Sequence, residues 1–258
     1  MKKLQENYQN KSEMNLSNIC QNLAKRDKNV LSVILSGSRA RGDYRENSDY
    51  DLTFVTKSPI KNYDEELTIE HNYKNKISEK TKIDRDLIQV SVWSFNGFKK
   101  EYKRGNSFVY CALRDGKILF SRSKINFKKP TNFRQYALDR LDLAKRNIED
   151  IKFSLKYYKE PTPRSRELED LGYISMHLCW AVCMFNNHCP ISKYTVLKEC
   201  RKYFSENELV HIKKAYQLYA KKGSKKLHRK TFLVLFNNLK KTMKRVEKKY
   251  VEKQEIFD

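Results

Sequence analysis

The sequence predicts an α+β protein, in which an N-terminal mixed β-sheet with flanking helices is followed by a C-terminal helical bundle. Two observations predict this class. Short β-rich runs alternate with helical segments as far as Pro130, and after that point the apolar residues recur at helical spacing. A chain of 258 residues is long enough for two units that each have a core. We therefore expect one domain over residues 1–128 and a second over residues 129–258.

The first half contains four segments with the composition of β-strands. They are rich in Val, Ile, Leu and Phe and are bounded by polar or glycine-containing stretches. Helical segments are expected between them over residues 15–28 and 64–80. The strands are predicted at VLSVILS (Val30 to Ser36), DLTFVT (Asp51 to Thr56), LIQVSVWSF (Leu87 to Phe95) and GKILFS (Gly116 to Ser121).

The second half is typical of a helical bundle. A long first helix is marked by apolar residues at helical spacing from Tyr136 to Leu155, and Pro161 and Pro163 end it. Four further helices are predicted over residues 165–186, 193–203, 206–222 and 228–253.

The net charge of +23 indicates a field that attracts polyanions such as nucleotides or nucleic acid. Lysine is nevertheless scattered along the whole chain, which is equally typical of ordinary solvated faces. No apolar run approaches the ~20 residues of a membrane span, and the first fifteen residues lack the apolar centre of a signal peptide. We therefore expect a cytoplasmic protein without a membrane partner.

The six cysteines contain no CxxC pair, which disfavours a zinc knuckle or a disulfide framework. Cys179 and Cys183 lie one helical turn apart in an apolar stretch, with His177, His188 and Cys189 nearby. Buried thiols are the favoured interpretation, and a metal site is the alternative.

The stretch from Gly37 to Asp51 carries the chemistry of the first half. A predicted strand runs directly into Ser36-Gly37-Ser38, and a glycine there lets backbone N–H groups face an anion. Asp49 and Asp51 are two residues apart at the start of the next strand, so they share one face and can bind divalent metal together. A phosphate-binding turn followed by two carboxylates indicates phosphoryl or nucleotidyl transfer. The chain lacks the P-loop and kinase motifs.

GSRARGDYRENSDYDL, Gly37 to Leu52, resembles the GSxARGxxxxxSDxDL signature of the minimal nucleotidyltransferases in the DNA polymerase β superfamily, which includes aminoglycoside nucleotidyltransferases. The signature covers both aspartates and also Ser48, which is a further candidate to contact the nucleotide. The resemblance implies that Gly37 and Ser38 contact the triphosphate of an NTP, most often ATP, and that Asp49 and Asp51 bind Mg²⁺. It also places Arg39 or Arg41 near the nucleotide, although a helix-surface charge is an equal alternative for both.

Catalytic members of this superfamily usually supply a third carboxylate from the next strand, as metal ligand or as general base. In this chain the position that we align to it holds Gln89, whose neutral amide cannot replace a carboxylate. Asp86 is the best substitute, although it lies three residues earlier and would face the other side of the sheet if it were already in the strand.

The helical half is similar to the HEPN-like bundles found beside such domains, and in the superfamily a helical domain completes the acceptor pocket. None of the five histidines has the arginine partner of a HEPN ribonuclease, so RNA cleavage is disfavoured. Asp170 is the preferred candidate to orient an acceptor, with a solvated helix face as the alternative. A basic protein suits polycationic aminoglycosides poorly, which favours a protein or RNA acceptor.

Three functions remain open from the sequence. The first is a Mg²⁺-dependent nucleotidyltransferase that moves NMP, most often AMP, from NTP to a hydroxyl on a small molecule, protein or RNA, with catalytic residues Asp49, Asp51 and Asp86. The second is a catalytically impaired nucleotide-binding module that regulates a partner. The third is a nucleic-acid-binding protein whose charge carries the function. The sequence also leaves a homodimer open.

Overall fold

The computed structural model describes residues 2–123, 125, 127–130, 132–193, 195–220 and 227–252, without the side chains of residues 2–13, 219 and 220. Two compact units are present, Met1–Pro130 and Thr131–Asp258. The first combines a sheet with helices and the second is helical, which confirms the predicted α+β class.

The first unit contains a mixed four-stranded sheet in the order β3-β2-β1-β4. Strand β1 pairs antiparallel with β2 and with β4, whereas β2 and β3 run parallel. Each strand begins and ends within one residue of its predicted segment, because the β-branched and aromatic runs have clear polar boundaries. The strands are β1 (Val30–Ser36), β2 (Tyr50–Thr56), β3 (Ile88–Ser94) and β4 (Lys117–Ser121).

Five helices accompany the sheet in the described part of the first unit. They are α1 (Lys2–Arg26), α2 (Gly37–Arg41), α3 (Tyr63–Thr81), α4 (Phe95–Lys103) and α5 (Ser107–Asp115), with a 3₁₀ turn at Arg85–Leu87.

One face of this sheet packs on α1 and α3 to form the core of the unit. Val33 and Leu35 of β1 and Phe54 of β2 are buried there against Cys20 and Ile77. Side chains alternate along a strand, so the residues between these positions lie on the opposite face. Asp51 and Gln89 belong to that opposite face, and helices α4 and α5 contact strands β3 and β1.

Helices α2, α4 and α5 are not among the predicted helices. The last two have only nine residues each, and side-chain caps hold their first turns. Ser94 Oγ accepts from Gly97 N at 3.1 Å, and Asn106 Oδ1 accepts from Phe108 N at 3.0 Å. Residues 95–115 therefore contain two helices ahead of the strand predicted over residues 116–121.

The second unit contains long helices around one apolar core. The core includes Leu141, Ile174, Ile212 and Phe236, which come from four different long helices. In the described residues the helices are α6 (Arg134–Tyr157), α7 (Ser165–Phe185), α8 (Val196–Glu199), α9 (Glu206–Ala220) and α10 (Arg229–Glu247), followed by a π turn at Lys248–Glu252.

The single helix predicted over residues 193–203 is wrong. Helix α8 begins only at Val196, and a separate 3₁₀ turn covers Arg201–Tyr203. The Thr195 hydroxyl accepts from Ser192 N at 3.1 Å, and such local side-chain bonds compete with helix formation. Residues 194, 221, 222 and 253, which the helix predictions also include, lie outside the described residues.

Among the described helices, none combines the length and the apolar character that a membrane span needs. All six cysteines lie in the described part of the chain, and no disulfide joins them there. Within the same residues, no group of three or more His, Cys, Asp or Glu side chains suits a metal ion, so the cysteines near His177 are not gathered into a metal site.

Candidate active site

Two carboxylates lie at the beginning of strand β2. Asp49 immediately precedes the strand and is exposed, whereas Asp51 is its second residue and is half-buried. Tyr50 between them packs into the core cluster formed with α1 and α3. Because side chains alternate along an extended chain, this arrangement assigns both carboxylates to the other face of the sheet.

Gly37 lies directly against the Asp51 carboxyl group. Residue 37 has a left-handed φ of 70°, and a β-carbon on it would lie 3.1 Å from Asp51 Cγ and would overlap the carboxylate oxygen. The Ser36 hydroxyl donates to the Asp51 carbonyl at 3.3 Å, which ties the same two strands together. Only glycine fits this position without displacing Asp51.

Helix α2 joins the end of β1 to the loop before β2. It stops at Gly42, whose φ is 84° and whose N–H donates to the Ser38 carbonyl. The Arg41 guanidinium lies 3.2 Å from the Asp43 carboxylate. Arg41 Nε is buried and has no hydrogen-bond partner among the described residues, so this guanidinium keeps a donor without an acceptor.

Arg39 is buried, with 4% of its surface exposed. Its guanidinium donates to the Ser48 carbonyl at 3.0 and 3.1 Å and to the Glu46 carbonyl at 3.0 Å. The rings of Tyr44 and Tyr50 lie on it, with centres 4.3 and 4.2 Å from Arg39 Cζ. These contacts were not predicted from the sequence, although Tyr44 and Tyr50 at the two ends of the loop were a visible signal.

Ser48 contributes to the shape of the same loop. Its hydroxyl accepts from Arg45 N at 2.8 Å, and its own N–H donates to the Arg45 carbonyl at 2.9 Å. This turn precedes Asp49 directly. In this structure Ser48 therefore holds the loop, and its predicted contact with a nucleotide stays a prediction.

Gln89 lies beside Asp51 on the neighbouring strand. The two residues are directly paired in the parallel register of β2 and β3, and Gln89 is exposed. Its Nε2 lies 3.4 Å from the Asp86 carbonyl. The sheet thus places Gln89 next to Asp51, and its alignment with the third carboxylate of the superfamily stays a prediction.

Asp86 lies in the exposed 3₁₀ turn that precedes β3 and is not part of the strand. Its N–H donates to the Asp84 carboxylate at 3.0 Å. No group of three metal-ligating side chains occurs in the described residues, so Asp86 does not form a three-carboxylate cluster with Asp49 and Asp51. The alternation of side chains along a strand therefore does not decide which way Asp86 faces, because β3 begins only at Ile88.

The residues present fit a magnesium ion that is shared with a triphosphate. Mg²⁺ in nucleotide sites is commonly held by one or two carboxylates together with phosphate oxygens and water. Asp49 and Asp51 provide two carboxylates on one face, and the missing β-carbon of Gly37 leaves room for the second of them. Gln89 adds a neutral amide beside the pair.

The acceptor candidate in the helical unit, Asp170, is buried in α7 with 3% of its surface exposed. Burial raises the pKa of this carboxyl, while Arg166, whose Nε lies 3.2 Å from Asp170 Oδ1, opposes the shift. Asp170 is therefore not on a solvated face.

Two turns along the same helix, burial lowers the pKa of His177 to about 3. His177 Nδ1 has no hydrogen-bond partner in the described residues.

The signature, the sheet and the carboxylate pair define a nucleotidyltransferase domain. Residues 18–125 match the family model described as "Polymerase beta, Nucleotidyltransferase", and this part of the chain is a domain of that family. No curated protein is similar in sequence to the chain.

Among solved structures, the chain is similar to spectinomycin adenyltransferase AAD(9) from Enterococcus faecialis, determined with ATP and spectinomycin. The identity is 15%, the TM-score is 0.52, and the match covers 91% of this chain and 98% of that chain. At this identity the likeness shows the shared fold. Together with the family model it supports a transferase that acts on nucleotides.

Proposed function

We propose that the protein is a Mg²⁺-dependent nucleotidyltransferase that transfers NMP, with ATP as the first candidate donor, to a hydroxyl acceptor and releases pyrophosphate. The observation that carries the proposal is the fit of the Asp51 carboxylate against Gly37, with Asp49 two residues away. Such a pair next to a glycine turn suits a metal-bound triphosphate.

Each residue of the turn has a proposed role. Gly37 N–H and the Ser38 hydroxyl would bind phosphate oxygens, and Arg41 would add a charge-assisted hydrogen bond. The unpartnered Nε of Arg41 supports this assignment. Asp49 and Asp51 would hold the metal, which when bound neutralises the triphosphate and polarises the α-phosphate.

The acceptor hydroxyl must lose a proton when its oxygen bonds to the α-phosphorus and the bond to the β-phosphate breaks. Asp86 is the carboxylate that we propose for this proton, because it is exposed and its main-chain carbonyl lies beside Gln89. The acceptor is proposed to be a small molecule, a protein or RNA. AAD(9) was crystallised with spectinomycin, which supports including small molecules.

The test is incubation of the purified protein with Mg²⁺ and each labelled NTP, with and without cell extract. We expect pyrophosphate release and a labelled acceptor with one NTP. Asp49→Ala and Asp51→Ala should each reduce the transfer by at least about a hundredfold, because each removes one of the two metal-ligand carboxylates. Asp64→Ala, at an exposed carboxylate in the first turn of α3, is the matched control and should retain activity.

A second candidate function is a nucleotide-binding module without turnover. Gln89 favours it, because the residue paired with Asp51 carries no charge. NTP binding without pyrophosphate release under any of these conditions would contradict the transferase proposal and support this candidate. Loss of NTP binding in Asp49→Ala would then show that the same site is used.

A further inference from the structure

Arg39 is a buried cation whose hydrogen bonds are made to main-chain carbonyls. A buried charge is costly unless hydrogen bonds replace its water shell. Arg39 satisfies this condition with bonds of 3.0 and 3.1 Å to Ser48 O and of 3.0 Å to Glu46 O. The guanidinium thus donates the hydrogen bonds that water would otherwise donate to these two loop carbonyls, in a loop without regular secondary structure.

Two tyrosine rings lie against the same guanidinium. The ring centres of Tyr44 and Tyr50 lie 4.3 and 4.2 Å from Arg39 Cζ, close enough for cation–π attraction from both. A planar guanidinium can stack on rings and donate in its plane at the same time, whereas the point charge of lysine cannot. The site therefore requires arginine specifically.

These contacts lie on both sides of Asp49. The carbonyl that accepts two of the bonds belongs to Ser48, the residue before it, and one of the two rings belongs to Tyr50, the residue after it. The exposed Asp49 precedes the first residue of β2, so the strand pairing does not fix it. Arg39 thus contacts the main chain of the residue before this carboxylate and the side chain of the residue after it.

We infer that Arg39 is a positioning residue, which orients the Asp49 carboxylate for the metal–nucleotide complex and does not itself contact the nucleotide. The inference rests on the proposed function, because it takes Asp49 as a metal ligand. It divides the two arginines of the signature into different roles. Arg41 keeps a donor without an acceptor, whereas Arg39 is committed to the loop.

The experiment is a titration with Mn²⁺, as a spectroscopic substitute for Mg²⁺, in the presence of α,β-methylene-ATP. We expect Arg39→Lys to weaken Mn²⁺ binding roughly tenfold or more, because the mutation of residues that orient metal ligands commonly has an effect of this size. Asp49→Asn is the reference for loss of the ligand itself. Arg122→Lys is the matched control, because Arg122 also donates to main-chain carbonyls, those of Val30 and Ala24, near the start of β1.

A purely structural role predicts a different result. Arg39→Lys would then lower the melting temperature as Arg122→Lys does and leave the Mn²⁺ affinity unchanged, which would overturn the inference. If Arg39→Lys does not fold, Tyr44→Leu removes one stacking ring and keeps the arginine, and it should weaken Mn²⁺ binding in the same direction. An unchanged affinity in Tyr44→Leu would overturn the inference equally.

Failure of the proposed function has a separate signature. If Asp49→Asn binds Mn²⁺ as the unmodified protein does, Asp49 is not a metal ligand, and both the metal assignment and the role of Arg39 are overturned. If Asp49→Asn loses binding and Arg39→Lys does not, the metal assignment stands and only the inference about Arg39 fails.

Discussion

The carboxyl group of Asp51 occupies the space that a side chain on Gly37 would need. A β-carbon at residue 37 would lie 3.1 Å from Asp51 Cγ, and the φ of 70° at this residue is one that other residues rarely adopt. The turn after β1 and the second carboxylate of the site are therefore fitted to each other.

We predict that Gly37→Ala greatly reduces turnover and lowers the free energy of unfolding only moderately. The new methyl group must push the Asp51 carboxylate aside. A displacement of about 1 Å in an active site can reduce turnover about a hundredfold. The strained φ should lower the free energy of unfolding by about 1–3 kcal/mol. Nucleotidyl transfer and thermal melting measure the two effects.

Gly42→Ala is the control for backbone strain. Residue 42 has a φ of 84°, but a β-carbon there meets no atom within 4 Å. This variant should lose a similar amount of stability and keep most of its activity. Equal losses of activity in both variants would show that strain, and not the fit to Asp51, limits turnover.

We predict that Gln89→Glu strengthens the metal site. Residue 89 is paired with Asp51 across β2 and β3, so a carboxylate there adds a third negative charge beside the two aspartates. Mg²⁺ affinity should rise about tenfold, since affinity increases with the number of charged ligands. Transfer activity should rise if the missing carboxylate limits the chemical step.

Asp86→Asn measures whether the neighbouring turn already supplies that carboxylate. If Asp86 accepts the proton of the acceptor hydroxyl, the single variant Asp86→Asn loses turnover. The double variant with Gln89→Glu then recovers it. Unchanged turnover in Asp86→Asn would remove this residue from the catalytic group.

We predict that Arg229→Met destabilises the helical unit by about 3 kcal/mol, because it leaves a buried carboxylate without its cation. Glu167 has 1% of its surface exposed, and its Oε2 lies 2.9 Å from Arg229 Nη1. Ser154 also donates to Glu167 Oε1, at 2.5 Å. The free energy of unfolding from urea denaturation measures the effect.

The ion pair between Glu149 and Lys152 is the exposed counterpart in the same unit. Glu149→Gln should change the free energy of unfolding by no more than about 0.5 kcal/mol, since solvent screens such pairs. A loss in this variant comparable to that of Arg229→Met would contradict the view that burial sets the difference.

We predict that His177 makes the protein less stable as the pH falls. Burial, with a smaller contribution from Arg140, lowers the pKa of His177 to about 3 in the folded chain, against about 6.5 in an unfolded one. Below about pH 6.5 only the unfolded state takes up the proton, so stability falls towards pH 3 by at most about 1.4 kcal/mol per unit.

The measurement is the free energy of unfolding between pH 7 and pH 4 for the unmodified protein and for His177→Gln, which cannot titrate. The variant should show a smaller slope. His211→Gln, at a histidine of α9, serves as the control. An identical slope in His177→Gln and the unmodified protein would show that other groups carry the acid sensitivity.

The sequence by itself determined the class of fold, the four strands and the positions of the candidate carboxylates. These features are local: strand composition, the spacing of two between Asp49 and Asp51, and a glycine at the end of a strand. The regular period of α6 and α7 was visible for the same reason. The predicted HEPN-like character of the helical half and a homodimer stay predictions.

Only the tertiary structure decided what the residues of the signature contact. The sequence treated Arg39 and Arg41 alike, and the fold separates them, because the loop returns Ser48, Tyr44 and Tyr50 to Arg39. It also pairs Gln89 with Asp51 through the register of two parallel strands that lie far apart in the chain. Contacts of this kind depend on how distant segments pack, which no local pattern of residues encodes.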